Sequence, residues 1–333
     1  MVVAELVAGI RRGERRALAK AITLIESSRP EDDRLAVALL EELARSNAGG
    51  TGLRVAISGP PGAGKSTLIE TLGMQAVAAG LRTAVLTIDP SSRRSGGSIL
   101  GDKTRMPRLS SHHLAFIRPS AAGSTLGGVA RRTRESMVVL DAAGFDLIFV
   151  ETVGVGQSET EVAGMVDLFV LVLLPNAGDE LQGIKRGIME LADLVVVNKA
   201  DGVFRAAAEL TQTQVAAALT LLHHDRAHGW QPAVLLVSAH EERGIDALLT
   251  TLRTFHSEMR ANGRLEEKRL QQAGGWMWER LFDGLRTRFL ADPHMQRLAE
   301  AMEPAVRCGK LGAVAAAERM LVAFFDRQER KPC

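Results

Sequence analysis

Gly59-Pro60-Pro61-Gly62-Ala63-Gly64-Lys65-Ser66 sets a lysine and a hydroxyl directly behind a loop of three glycines. Glycines let a backbone curl around a phosphate with no Cβ in the way, and N–H groups at a helix start point at an anion. Lys65 offers positive charge to terminal phosphates, and the Ser66 hydroxyl suits Mg²⁺. The pattern carries meaning only between a buried strand and a helix. Apolar Val55 to Ile57 precede it and Thr67 to Gly80 carry a helical pattern after it, so that context is met. Gly59, Pro60, Pro61, Gly62, Ala63, Gly64, Lys65, Ser66 and Thr67 are therefore the candidate phosphate cradle.

A second element speaks to the base. Leu194 to Val197 is a short apolar run of strand type, followed by Asn198-Lys199-Ala200-Asp201. The Asp201 carboxylate can accept from both guanine N1–H and the exocyclic amine, a donor pair that adenine lacks. Polar groups left unpaired by the wrong base make such discrimination steep. Another run, Ala233 to Val237, ends in Ser238-Ala239, which resembles the loop that caps guanine O6 through backbone N–H. Three elements in this order on three strand ends predict GTP as substrate and GDP as product.

Hydrolysis of a triphosphate needs Mg²⁺ across the phosphates, an oriented water and positive charge near the transferring group. Carboxylates are the hard oxygen ligands for the first task. Asp89 closes the apolar run Thr83 to Ile88, Asp102 ends the glycine-rich loop that starts at Pro90, and Glu151 closes the run Leu147 to Val150. With Ser66, these three acids form the expected metal set.

The elements that must position these residues read as a doubly wound, mostly parallel α/β sheet. Thr83 to Ile88, Leu114 to Ile117, Leu147 to Val150, Leu168 to Leu174, Leu194 to Val197 and Ala233 to Val237 are near-continuous apolar runs, as strands covered on both faces require. Ahead of them, residues 1–50 form a helical extension. Leu6, Ile10, Leu18, Ile22 and Ile25 share one face, Leu35, Leu39, Leu40 and Leu43 another, and Pro30 separates two helices. Residues 51–260 make the nucleotide domain and 261–333 a helical arm. Trp278, Leu281, Phe282, Leu285 and Phe289 lay an apolar stripe along that arm, to be covered either by the chain's own core or by a second copy in a homodimer.

Composition narrows the classes. A net charge of +2 gives no reason to expect nucleic acid or an anionic membrane, and 4% aromatics without tyrosine leave few stacking platforms. No segment reaches the eighteen or so apolar residues that a membrane span needs. Two cysteines, Cys308 and Cys333, make neither a disulfide framework nor a thiolate metal site, so a cytoplasmic setting is expected.

Three longer segments carry a resemblance. Asp89 to Ser92 with Ser95 to Arg105, then Glu151 to Glu159, then Gly178 to Ile188 look like the MeaB/ArgK family of P-loop GTPases. Members of that family chaperone adenosylcobalamin-dependent acyl-CoA mutases. The resemblance implies that Pro90 to Arg105 is a first nucleotide-sensing switch, and that Val153 to Glu161 is a second, with the Gly154 N–H on the γ-phosphate. It implies a third switch at Asn176 to Ile188, where Lys185 is the candidate cation for transition-state charge. Gln157 would orient water. Glu151 stands where many GTPases have aspartate, so its metal contact is direct or through water. The implied partner is methylmalonyl-CoA mutase or a close relative. No Asp-x-His-x-x-Gly cobalamin pattern occurs in this chain itself.

Two other functions fit parts of the pattern. A metal-insertion GTPase of the hydrogenase or urease maturation type needs Cys and His near the switches; the clustered imidazoles are His112-His113 and His223-His224, and neighbours on a strand would face opposite ways. A kinase of a transport system would need an acceptor pocket and a base, for which no residues stand out.

Overall fold

The computed structural model describes residues 3–27, 29–46, 50–89, 105–121, 126–152, 158–175, 186–222 and 229–329. These divide into two compact units, Met1–Leu270 and Gln271–Cys333. Asp102, Gly154, Gln157 and Lys185, with nearly all of the first and third expected switches and His223-His224, lie outside the described residues.

The first unit opens with helices α1 (Val3–Arg11), α2 (Arg15–Glu26) and α3 (Pro30–Ser46). Three helices stand where the apolar spacing predicts two, because Gly13, at φ 71°, turns the chain between α1 and α2. Leu6, Ile10, Leu18, Ile22 and Ile25 are buried as expected, and so are Leu39 and Leu43. Leu35 is instead 45% exposed: the covered stripe of α3 passes through Ala36, one residue further round the helix.

Strands β1 (Leu53–Ser58), β2 (Thr83–Asp89), β3 (Ala115–Ala121), β4 (Leu147–Glu151), β5 (Leu168–Leu173), β6 (Leu194–Val197) and β7 (Ala233–Leu236) follow, interleaved with helices. Among the described residues these seven form one sheet in the order β3-β2-β4-β1-β5-β6-β7, with every adjacent pair parallel. Each expected apolar run is one of them. All side chains of β5 and β6 are buried, which is what coverage on both faces demands.

The two faces have separate cores. On one, the alternate residues Ala56, Ile148 and Phe169 pack with α1 to α3 and with α6 (Leu126–Ala142), α7 (Ser158–Ala163), α8 (Arg186–Leu191) and α9 (Arg205–Leu222). On the other, Val55, Ile57, Phe149 and Val170 pack with α4 (Lys65–Ala78), α5 (Pro107–Ser111) and α10 (Ile245–Ala261). Chain direction away from β1 reverses on its two sides, so a crevice opens above its carboxyl end, where ligands of such sheets sit.

At the opposite end of the sheet a buried ionic network holds the start of α11 (Arg264–Ala291). Asp167 is fully buried and accepts from Arg269 Nε at 2.8 Å, from Arg269 Nη2 at 2.5 Å and from the Arg54 amide at 2.8 Å. Arg269 also donates to the carbonyls of Gly50 and Gly52, and Arg54 pairs with Asp141. Burial pushes the Asp141 carboxyl above its ordinary pKa against the pull of Arg54 and Arg269. The expected division near residue 260 falls at the end of α10, while the compact unit runs on through Leu270.

The second unit contains the rest of α11, then α12 (Pro293–Arg307) and α13 (Ala313–Glu329). Gly274 and Gly275 do not interrupt α11. Asp292 caps α12 by accepting from the amides of His294 and Met295; Met295, Ala316 and Phe324 are the buried apolar residues of this unit among those described, and the Phe289 ring lies tilted against Phe324 with centroids 5.1 Å apart. Trp278, Leu281, Phe282 and Leu285 all remain exposed.

Candidate nucleotide site

β1 delivers the chain to Gly59, whose φ of 148° and close approach to its neighbour strand both require glycine. A Cβ there would stand 2.1 Å from the Val172 carbonyl oxygen. The loop then rises through Pro61 and Gly62, both exposed, and drops into α4 at Lys65. Gly64 is the N-cap in a left-handed conformation, φ 83°, and supplies no side-chain acceptor to the first turn. The opening N–H groups of α4 thus face the crevice without a side-chain cap, the arrangement that binds phosphate oxygens.

Lys65 is buried, and its Nζ donates to the carbonyls of its own loop, Gly59 at 2.8 Å and Pro60 at 3.1 Å. Burial pulls its pKa below the ordinary lysine value, opposed by the charges of Glu151 and Glu159. An ammonium taken from water and surrounded by partial charges gains most from an incoming polyanion. Glu159, buried in the first turn of α7, is a second acid near this lysine that no motif singles out.

Ser66 Oγ donates to Glu151 Oε1 at 2.6 Å. Glu151 ends β4 level with Ile57 of β1, so pairing with the central strand carries its carboxylate to the loop. Beneath them Thr152 Oγ1 donates to Ser58 Oγ at 2.9 Å, with both hydroxyls buried, and the Thr152 amide donates to the Ile57 carbonyl at 3.1 Å. Asp89 is the last residue of β2, opposite Ala121 of β3 and beyond the Thr87 to Glu151 register. Among the described residues no group of three or more His, Cys, Asp or Glu side chains assembles. His112 and His113 lie before β3 with their rings stacked at 4.6 Å, not on a strand facing opposite ways.

Across the crevice, β6 and β7 bring up the base elements. Asn198 is buried and joins three segments: Nδ2 donates to the Ala63 carbonyl of the phosphate loop at 2.8 Å, and Oδ1 accepts from the Ala239 amide at 3.1 Å. A Cβ on Gly64 would meet Asn198 Nδ2 at 2.6 Å, so this glycine is needed for packing as well as for its φ. Lys199 holds a left-handed φ of 59° and is exposed, and Ala200 donates to the Val237 carbonyl at 3.0 Å, which turns Asp201 toward the β7 loop. Ser238 Oγ donates to Asp201 Oδ2 and accepts from the Glu241 amide at 3.1 Å. Paired backbone bonds between Ser238 and Arg243 close that loop. The Ala239 N–H expected to cap guanine O6 is, in this structure, engaged by Asn198.

The structure therefore brings together Gly59 to Thr67, Glu151, Asn198, Lys199, Asp201, Ser238 and Ala239 around one crevice. It can hold phosphates at the α4 end and test a purine at the β6 and β7 end.

Comparison with known proteins agrees with that geometry. Residues 18–294 match the family model described as methylmalonyl Co-A mutase-associated GTPase MeaB. A probable GTPase of Mycobacterium tuberculosis is 48% identical over 316 residues, which is 95% of this chain and 93% of that protein. The GTPase ArgK of Escherichia coli is 46% identical over 83% of this chain and 82% of its own. The mitochondrial methylmalonic aciduria type A homolog of Mus musculus is 45% identical over 98% and 80% respectively. The solved structure of a protein named LAO/AO transport system kinase superposes with a TM-score of 0.74 at 36% identity, covering 97% of both chains. With its crevice, its sheet and its sequence in accord, this chain belongs to the MeaB family of P-loop GTPases.

Proposed function

We propose that this GTPase is a chaperone that gates the loading, protection or repair of adenosylcobalamin in an acyl-CoA mutase. The observation that carries the reading is the two-ended crevice, phosphate cradle joined to base loop through Asn198, in a chain whose family is described as mutase-associated. Turnover of GTP in such a crevice is a timer: the bound state differs from the spent state only at the γ-phosphate, and loops that sense it can order against a partner.

Ser66 and Glu151 fit a hard cation, because they place two oxygen donors in contact beside the phosphate loop. With Asp89 and Asp102 they would hold Mg²⁺, which supplies charge neutralisation at the phosphates when bound. The chain's own groups do the rest. Lys65 exchanges its loop carbonyls for phosphate oxygens, Asp201 and the Ser238-Ala239 loop select guanine, and the Gly154 amide meets the γ-phosphate. Gln157 orients water and Lys185 meets developing negative charge. The exposed stripe of α11 is the contact face of a homodimer.

Purified chain should turn over GTP slowly alone and at least several-fold faster with its mutase, and the two should co-purify. Equal turnover with and without every candidate mutase would remove the chaperone reading while leaving the GTPase intact. The similar solved protein is named a transport system kinase, which favours a second reading in which the γ-phosphate passes to an acceptor protein. Label from γ-³²P-GTP appearing on such an acceptor rather than as free phosphate would select it.

A further inference from the structure

The helix that carries the phosphate cradle also holds the base loop. Thr71, on the second turn of α4, is buried, and its Oγ1 lies 2.9 Å from the Thr67 carbonyl and 3.1 Å from the Ala239 carbonyl. The single hydroxyl proton is shared between a bond within the helix and one to a loop 168 residues further along the chain. Ala239 is thereby gripped on both sides, its N–H by Asn198 Oδ1 and its C=O by Thr71. Around this contact α4 and α10 pack through Leu68, Leu72, Ile245 and Leu248 in one core cluster, so the helix is a rigid bar rather than a mobile segment.

The geometry points to Thr71 as a positioning residue for base selection. It lies six positions after Lys65, and at 1.5 Å rise per residue the base loop is held about 9 Å along α4 from the phosphates. The helix is a ruler between the two ends of the nucleotide. A loop set at the right height offers the Ala239 N–H to a 6-oxo purine in exchange for its present acceptor, Asn198 Oδ1; adenine has no oxygen there and gains nothing from that placement. This inference rests on the guanine-loop reading of Ser238-Ala239.

Thr71→Val removes the hydroxyl and keeps the branched shape, and Thr71→Ser restores the hydroxyl. Affinities for GDP, IDP, ADP and tripolyphosphate should be measured on the full chain by titration, with thermal melts of each variant as a folding check. GDP and IDP share the 6-oxo group, so both should weaken about fivefold in Thr71→Val, as expected for one hydrogen bond. ADP and tripolyphosphate should stay unchanged, and Thr71→Ser should recover the loss. Should Thr71→Val fail to fold, Thr71→Ala carries the same test. An equal loss for all four ligands would make Thr71 a general helix-packing residue and overturn the inference, as would no loss at all. A wild-type chain that binds ADP as tightly as GDP would instead overturn the base-loop reading itself.

Discussion

Lys65 has its ammonium folded back on the carbonyls of Gly59 and Pro60, so nucleotide binding is an exchange of acceptors at a charge already out of water. Lys65→Ala should lower GTP affinity by about a hundredfold, since charge-assisted bonds contribute roughly 1.5–3 kcal/mol each; equilibrium titration with a labelled nucleotide checks it. At the other end, Asp201→Asn replaces an acceptor pair by a donor and an acceptor. GDP should weaken about 10- to 100-fold while xanthosine diphosphate gains, as expected when a buried polar pairing is lost, read by competition between the two. The phosphate loop is legible from sequence because every position in it is constrained by local geometry: glycine where φ is positive, lysine and serine at the helix start. Asn198 and Asp201 are legible for another reason: the Asn-Lys-x-Asp spacing directly behind an apolar strand run marks them, although the partners of Asn198 lie 135 and 41 residues away. Thr71 and the Ser58 to Thr152 pair are not, because their partners are 168 and 94 residues away and nothing about a threonine in a helix or at a strand end announces a distant acceptor.

Among the elements, β1 depends on its exit. Gly59→Ala would drive a methyl group against the Val172 carbonyl of β5, and the strand pair cannot open without breaking its ladder. That variant should lose several kcal/mol of stability, in the range of severe steric and backbone lesions, measured as a fall in urea midpoint. Helix α10 carries His256, whose Nε2 is buried without a partner among the described residues. Burial lowers its pKa, Arg269 and Arg260 lower it further, and Asp167 and Glu266 act the other way. The folded state thus favours neutral imidazole: the stabilisation is complete above the unfolded value near 6.5 and is lost as pH falls from there through the lowered pKa. Urea midpoints at about pH 7.5 and about pH 5.5, on either side of that value, should differ more in the wild type than in His256→Gln. Strands are readable from sequence wherever both faces are covered, since continuous apolar runs have few other uses. The apolar run of β3 stops at Ile117 because Arg118 and Ser120 look like loop, yet edge pairing with β2 carries the strand to Ala121. Gly13 hides in a helical pattern because a single glycine does not by itself mark a break.

At the scale of the whole molecule, the second unit exposes Trp278, Leu281, Phe282 and Leu285 on one helix. If that face joins two copies, Phe282→Asp combined with Trp278→Asp should yield a monomer by light scattering, with basal GTP turnover per chain retained. Two-copy mass in the double variant would place the contact elsewhere. Where the first unit ends has a practical corollary. Asp167 depends on Arg269 for two of its hydrogen bonds, and Leu265 is packed in the core that α4 and α10 share, although both partners come after the point where strands and sheet-covering helices stop. A chain clipped at residue 260 would leave the buried Asp167 carboxyl group with its guanidinium partner amputated, a lesion of about 3–5 kcal/mol. One clipped just past Leu270 should keep the keystone in place, which makes that position, rather than the apparent domain edge, the right place to cut when the GTPase is wanted without its arm.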